Sequence, residues 1–362
     1  MNLTSMKNEV EDTFQMGDAN EPIPPQDIVA YNELRSCADL VRMFSTKKLE
    51  LKPDFQREVV WKQDDQSRFI DSLVKQLPIP SMCFSLDYKT QRWKVIDGLQ
   101  RMSSIIRFLQ PTEWRLSNLS EIHPDLRGIR NVDLQQGSED QKRLYARVED
   151  VSIPITVIRC DYTRQNHMAY LFMIFYRLNS GGVRLTNQEI RNCIYSGPFN
   201  DLIKAFDHEN LDWKDIKKRV WGKMDRYRSV EVILRILAFG DRRSQYDGNL
   251  ASFLNNFMHD KALSKVPSED LTEILSLLSE RTNAVLSKVP QKKLPLLLVE
   301  ALMVALYSHR KELASRSNDE LVEAYHNMIR LPSFAEGARY AVSNVKNVAT
   351  RLNVAVDSFS LT

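Results

Sequence analysis

The chain has few of the residues around which reactive centres are commonly assembled. Its 362 residues include four cysteines, Cys37, Cys83, Cys160 and Cys193, far apart and with no pair at metal-ligand spacing. Each stands among apolar or small residues and reads as a buried thiol. The six histidines are scattered, which leaves neither a zinc site nor a His–Cys dyad in view; His123 reads as a loop residue. A Gly-x-x-x-x-Gly-Lys-Ser/Thr loop is absent, which excludes a P-loop. No apolar run is long enough to span a bilayer, and the start shows no leader pattern. A cytoplasmic protein without membrane contact is the expectation. The net charge of +3 is too small to argue for a nucleic-acid partner by itself.

The length suffices for two domains and a substantial core. Residues 1–28 set Lys7 against Glu9, Glu11, Asp12, Asp18, Glu21 and Asp27, with Pro22-Ile23-Pro24-Pro25 near their end, and read as an acidic flexible arm. Residues 29–165 read as a small α+β domain. A short helix over 39–44 leads to a strand near 47–51, and Phe69, Ile70, Leu73 and Leu77 give 62–76 one apolar helical face. Pro78-Ile79-Pro80 breaks that helix. Strands over 82–86 and 93–96 form a hairpin around Lys89-Thr90, and 101–109 is helical. Residues 111–140 read as loops. Val151–Cys160 is the strongest strand signal, with Pro154 suggesting an edge or a bulge. From residue 166 to 362 strand signals disappear, and a helical domain follows. Its segments are 168–178, 187–195, 200–206, 230–237, 249–258, 271–285, 294–307 and 319–328.

Four clusters carry chemistry. In Val95–Ser104 an apolar strand end runs into Asp97-Gly98, and a helix starts at once with Gln100, Arg101, Ser103 and Ser104. A helix start offers unpaired N–H groups and the positive end of the dipole. Gly98 permits close backbone approach, and Arg101 can grip an anion bidentately. Asp97 suggests a metal ion, a polarised water or an arginine to orient. Lys52–Trp61 adds a second Gln-Arg pair, Gln56-Arg57, which makes a shared anionic pocket worth proposing. Phe175–Arg191 places Arg177, Asn179 and Arg191 around Gly181-Gly182, with Thr186 and Glu189 as a capping box for the next helix. Trp213–Arg228 interleaves Lys217, Lys218, Arg219 and Lys223 with Trp213, Trp221 and Tyr227, a pattern that suits a nucleic-acid backbone and equally a solvated basic helix face.

Three of these clusters together resemble the N-terminal domain of GmrSD-type restriction systems, of the ParB/sulfiredoxin-like fold. The matching motifs are Phe55-Gln56-Arg57…Trp61, then Asp97-Gly98-Leu99-Gln100-Arg101, then Arg177-Leu178-Asn179-Ser180-Gly181-Gly182…Leu185…Glu189-Ile190-Arg191. Pro78-Ile79-Pro80 and the late Arg339-Tyr340…Arg351 stretch also fit. The resemblance implies nucleoside-triphosphate binding and hydrolysis coupled to defence against phage or modified DNA. It puts Asp97, Gln100 and Arg101 at the reacting phosphate, with Asp97 toward Mg²⁺. Gln56, Arg57, Gly98, Ser103, Arg177, Asn179 and Arg191 would contact the nucleotide. Apart from the resemblance, the basic pattern of Trp213–Arg228 makes Lys217, Lys218, Arg219 and Lys223 the candidates for DNA contact. Leu99 departs from the family pattern, which carries Gln there. No His-Asn-His nuclease signature is visible toward the C-terminus, so cleavage would need a separate nuclease or defence-system subunit. Two other readings stand beside this one: a DNA-binding module without turnover, and a metal-dependent DNA-nicking enzyme using Asp97.

Overall fold

The computed structural model describes residues 24–51, 61–178, 185–221, 227–264, 268–338 and 342–360. Contacts divide the chain into two compact units, one spanning Pro22–Leu185 and the other carrying Thr186–Thr362. The expected acidic arm falls outside the described residues as far as residue 23.

The first unit is α+β. Its elements in order are β1 (Val29–Ser36), α1 (Cys37–Ser45), β2 (Leu49–Glu50), α2 (Gln63–Val74), β3 (Met82–Asp87), β4 (Trp93–Asp97) and α3 (Leu99–Leu109). They continue with α4 (Asn131–Gln136), α5 (Glu139–Asp150), β5 (Ser152–Cys160) and α6 (Gln165–Leu178). The sheet runs β1-β5-β3-β4-β2. β3 and β4 form the expected antiparallel hairpin, with a register slip between Cys83 and Phe84. β5 joins β3 in parallel and β1 antiparallel, and β2 joins β4 in parallel.

Period-two alternation sorts the strands between two faces. Phe84, Leu86, Trp93, Val95, Ile153, Ile155 and Val157 pack with residues of α1, α2, α3 and α5 in one core. On the opposite face the Ser85 hydroxyl lies 2.6 Å from the Tyr162 hydroxyl, and the Lys94 ammonium stands 5.0 Å from the Tyr162 ring centroid. β5 is an interior strand, not an edge. Pro154 is tolerated because it pairs with Leu34 of β1 one residue before pairing with β3 begins at Ile155. Its missing N–H therefore costs no rung toward β3.

Two elements escape local patterning. β1 is exposed over its first four residues and shows no apolar alternation. The expected loop region 111–140 contains α4 and the first two residues of α5, and α5 carries only Leu144, Tyr145 and Val148 as buried residues among many charges. Its start is nonetheless written locally, since Ser138 and Gln141 form a reciprocal capping box.

The second unit is helical throughout its described residues. It comprises α7 (Asn187–Ile194), α8 (Pro198–Glu209), α9 (Leu211–Val220), α10 (Arg228–Arg242) and α11 (Leu250–Leu263). Then follow α12 (Ser268–Ser287), α13 (Leu296–Ser308), α14 (Asn318–Arg330), α15 (Pro332–Glu336) and α16 (Val345–Ser358). α13 is buried along twelve consecutive residues, Leu296–Tyr307, and packs against α10, α12 and α16.

Charge is buried in the middle of this bundle. The Arg235 Nε donates to Glu300 Oε1 at 2.6 Å, and Arg351 Nη2 stands 3.7 Å from Glu300 Oε2. Arg351 Nη1 donates to the carbonyls of Gly337 at 2.7 Å and Val342 at 3.2 Å. Burial pushes the Arg351 pKa down, and the Glu300 carboxylate opposes that shift. Removing one member of such an array leaves unpaired charge in a low-dielectric interior. Glu300→Leu is expected to cost about 3–5 kcal/mol, read as a lower urea midpoint; an unchanged midpoint would show that the array is relieved by water.

Candidate functional site

The site is built where β4 stops. Trp93, Val95 and Ile96 are buried, and the strand ends at Asp97, opposite Cys83 of β3. Gly98 then takes φ +96°, a left-handed conformation, and serves as the cap residue of α3 without any side-chain cap bond. Two constraints demand glycine there. An L side chain pays steric strain at that φ, and a Cβ would stand 2.5 Å from Met82 Cγ. The helix begins at once, with the Met102 N–H donating to the Gly98 carbonyl at 2.8 Å. The cap residue itself thus offers no side chain to the first N–H groups of α3, which start beside a carboxylate.

Arg101 is turned back onto this bend. Its Nη2 donates to Asp97 Oδ2 at 2.9 Å, and its Nη1 donates to the carbonyls of Pro80 and Ser81. Burial pushes the Arg101 pKa down while the Asp97 carboxylate pulls it back up. The Arg101 side chain is 15% exposed and that of Asp97 37%, so the carboxylate is the accessible member of the pair. Asp97 Oδ1 has no hydrogen-bond partner among the described residues. The sequence suggested either a phosphate grip by Arg101 or an arginine orienting Asp97; the second is what the geometry contains. Its anchor on the Pro80 and Ser81 carbonyls escaped the sequence, where Pro78-Ile79-Pro80 registers only as a helix breaker.

The neighbouring residues fall into place around this pair. Gln100 Oε1 accepts the Trp61 N–H at 3.3 Å, which docks the lead-in to α2 on the first turn of α3. Leu99 is partly buried and packs on the core. Ser103 is buried, and its hydroxyl donates back to the Leu99 carbonyl at 2.6 Å, so it faces the helix and not solvent. Arg177 is exposed on the last turn of α6. Gln56, Arg57, Asn179 and Lys223 lie outside the described residues.

Arg191 is bonded within its own unit. It belongs to the helical unit, where it is buried and donates to Asn255 Oδ1 at 2.9 Å, Gln188 Oε1 at 3.0 Å and Glu231 Oε2 at 3.0 Å. Its family position is thus occupied by a core ion pair. The capping box at Thr186 and Glu189 forms as the sequence predicts. Lys217 donates to the Asp207 carbonyl at 2.8 Å and carboxylate at 3.0 Å, Lys218 pairs with Asp215 at the surface, and Arg219 bonds three backbone carbonyls. Trp213 is fully buried, so it is core and not a stacking platform.

Among the described residues no group of three or more His, Cys, Asp or Glu side chains could hold a metal ion. A lone half-exposed carboxylate still suits Mg²⁺, which keeps several waters and is commonly held by one or two carboxylates together with substrate phosphates. Among the same residues no helix is long and apolar enough to cross a membrane.

Gly98→Ala tests how rigidly the bend is made. Left-handed strain and the clash with Met82 together are expected to cost about 2–4 kcal/mol, measured by urea unfolding; a loss under about 0.5 kcal/mol would mean the bend relaxes freely.

No curated protein and no solved structure matches the chain. Residues 40–196, which contain the whole Asp97–Arg101 bend, match the family model of the GmrSD restriction endonuclease N-terminal domain. Over those residues the chain is similar to the GmrSD N-terminal domain family of restriction systems.

Proposed function

We propose that this chain is a component of a restriction-type defence system whose sheet unit binds a nucleoside triphosphate at the Asp97–Arg101 bend and hydrolyses it. The observation that carries the reading is the junction itself: an uncapped helix start, a glycine that opens the backbone, and a half-exposed carboxylate with one oxygen to spare. Backbone N–H groups at residues 99–101 would receive phosphate oxygens. Asp97 would hold Mg²⁺ through Oδ1, and the ion would neutralise charge on the phosphates. Arg101 orients the carboxylate, and is a positioning residue here. Gln100 and the exposed Arg177 are polar groups of the same unit that would meet the nucleotide's remaining oxygens. DNA is the polymer this activity would serve, with cleavage supplied by a separate subunit.

Phosphate release measured across the four nucleoside triphosphates, with Mg²⁺ and with or without duplex DNA, tests this. Asp97→Asn is expected to lower turnover by about 10²-fold and to remove the Mg²⁺ dependence of nucleotide binding. Chelation should do the same to the parent protein. Arg101→Lys should lower both affinity and turnover, because a point charge cannot bond Asp97 and two carbonyls at once. Calorimetry showing equal Mg·nucleotide affinity for the parent and Asp97→Asn would refute the placement. Duplex binding indifferent to nucleotide would favour a binding module without turnover, and Mg²⁺- or Mn²⁺-dependent plasmid nicking lost in Asp97→Asn would favour a nuclease.

A further inference from the structure

In the helical unit, Arg219 does something its neighbours do not. Its Nη1 donates to the Leu286 carbonyl at 2.6 Å, and its Nη2 donates to those of Val289 at 3.0 Å and Gln291 at 2.7 Å. The Leu294 N–H in turn donates to the Arg219 carbonyl at 3.0 Å. Four bonds hold the end of α9 beside the connection between α12 and α13, although some seventy residues separate them in sequence.

That connection, residues 287–293, reads Ser-Lys-Val-Pro-Gln-Lys-Lys and is exposed at every position except Val289. It contains three lysines and no carboxylate. Among the described residues the ammonium groups of Lys288, Lys292 and Lys293 enter no ion pair, and neither does that of Lys214 on α9. Helix electrostatics explain one of them. Lys288 follows the last residue of α12, where a cation faces the negative helix end. The same reasoning counts against Lys292 and Lys293. They precede α13, whose cap residue Pro295 gives no side-chain cap bond and whose first turn carries no acidic residue. Two cations beside a positive helix end raise the free energy of the fold unless an anion settles there.

We propose that the 287–293 connection, fastened to α9 by Arg219, is a contact surface for the phosphate backbone of duplex DNA. Lys214 and Lys218, one turn apart on α9, extend it. The surface lies outside residues 40–196, and its central lysines, Lys288, Lys292 and Lys293, lie outside the Trp213–Arg228 stretch that supplies Lys214 and Lys218. Flexible lysines meet phosphates as point charges, without reading bases. The loop exposes no large hydrophobic side chain, so it has nothing to insert into a bilayer. Duplex DNA as the ligand rests on the restriction-type reading above; the surface itself does not.

The test is fluorescence-anisotropy titration of a labelled duplex of random sequence with the full chain over a range of salt. In the Lys288→Ala/Lys292→Ala/Lys293→Ala variant the slope of log K against log[salt] should fall by about 2–3, and affinity at 0.1 M salt should drop roughly tenfold per lysine. Nucleotide affinity should be unchanged in that variant. Lys292→Glu/Lys293→Glu is the second variant; these exposed positions carry no internal contact, and it should lose at least as much affinity. Unchanged slope and affinity in either folded variant overturns the proposal, as does a parent chain that does not bind duplex DNA. Phosphatidylserine vesicles form a control arm: binding to them that depends on these lysines, with duplex binding unaffected, also overturns it. If duplex binding depends on the lysines but no nucleotide binds, the nucleotide reading fails and this surface stands.

Discussion

The Arg101 guanidinium is the group on which the bend depends. One planar cation bonds the last residue of β4, through Asp97, and the two residues that lead into β3, through the Pro80 and Ser81 carbonyls. The same elements are also joined by β3–β4 backbone pairing, by shared core packing and by Gly98, whose open α-face is filled by Met82. Each part requires the others. Without Asp97, Arg101 would be a largely buried cation facing only carbonyl dipoles; without Arg101, Asp97 would lose its orientation and Pro80 its donor. Fixed in this way, the carboxylate keeps one oxygen directed away from its internal partner. A group held stiffly before any ligand arrives spends little free energy on reorganisation, which is what the phosphate-binding role proposed for the bend would require.

What could be read from the sequence follows the range of the interactions concerned. The β3–β4 hairpin, the Asp97-Gly98 bend, the start of α3 and the Thr186–Glu189 capping box are all determined within a few residues, and each forms as its pattern predicts. β1 was hidden because its exposed residues carry no alternation; it is defined by its partner β5, more than a hundred residues later. The cationic side chains were the least legible part. Arg191 finds Glu231 and Asn255, and Arg219 finds the carbonyls after α12. A run of basic residues says that charge is present, and only the tertiary fold says which charges are consumed internally. The charges left for a ligand then include Lys288, Lys292 and Lys293, which no local motif marks.

Position 99 sharpens the question of turnover. Successive helix residues are about 100° apart, so the first turn of α3 cannot present every side chain to the same side. Leu99 packs toward the core, Ser103 is sealed beneath it, and Gln100 and Arg101 take the outer faces. The family pattern carries an amide at 99, and here that amide is replaced by apolar packing area. Any orientation of an attacking water must therefore come from another group. Gln100 is the nearest amide on the same turn, and its Oε1 is already held by the Trp61 N–H. That bond restrains the amide plane. The lead-in to α2 thus orients the amide on this turn, and on the proposed nucleotide reading a change that frees Trp61 from Gln100 is expected to lower turnover more than affinity.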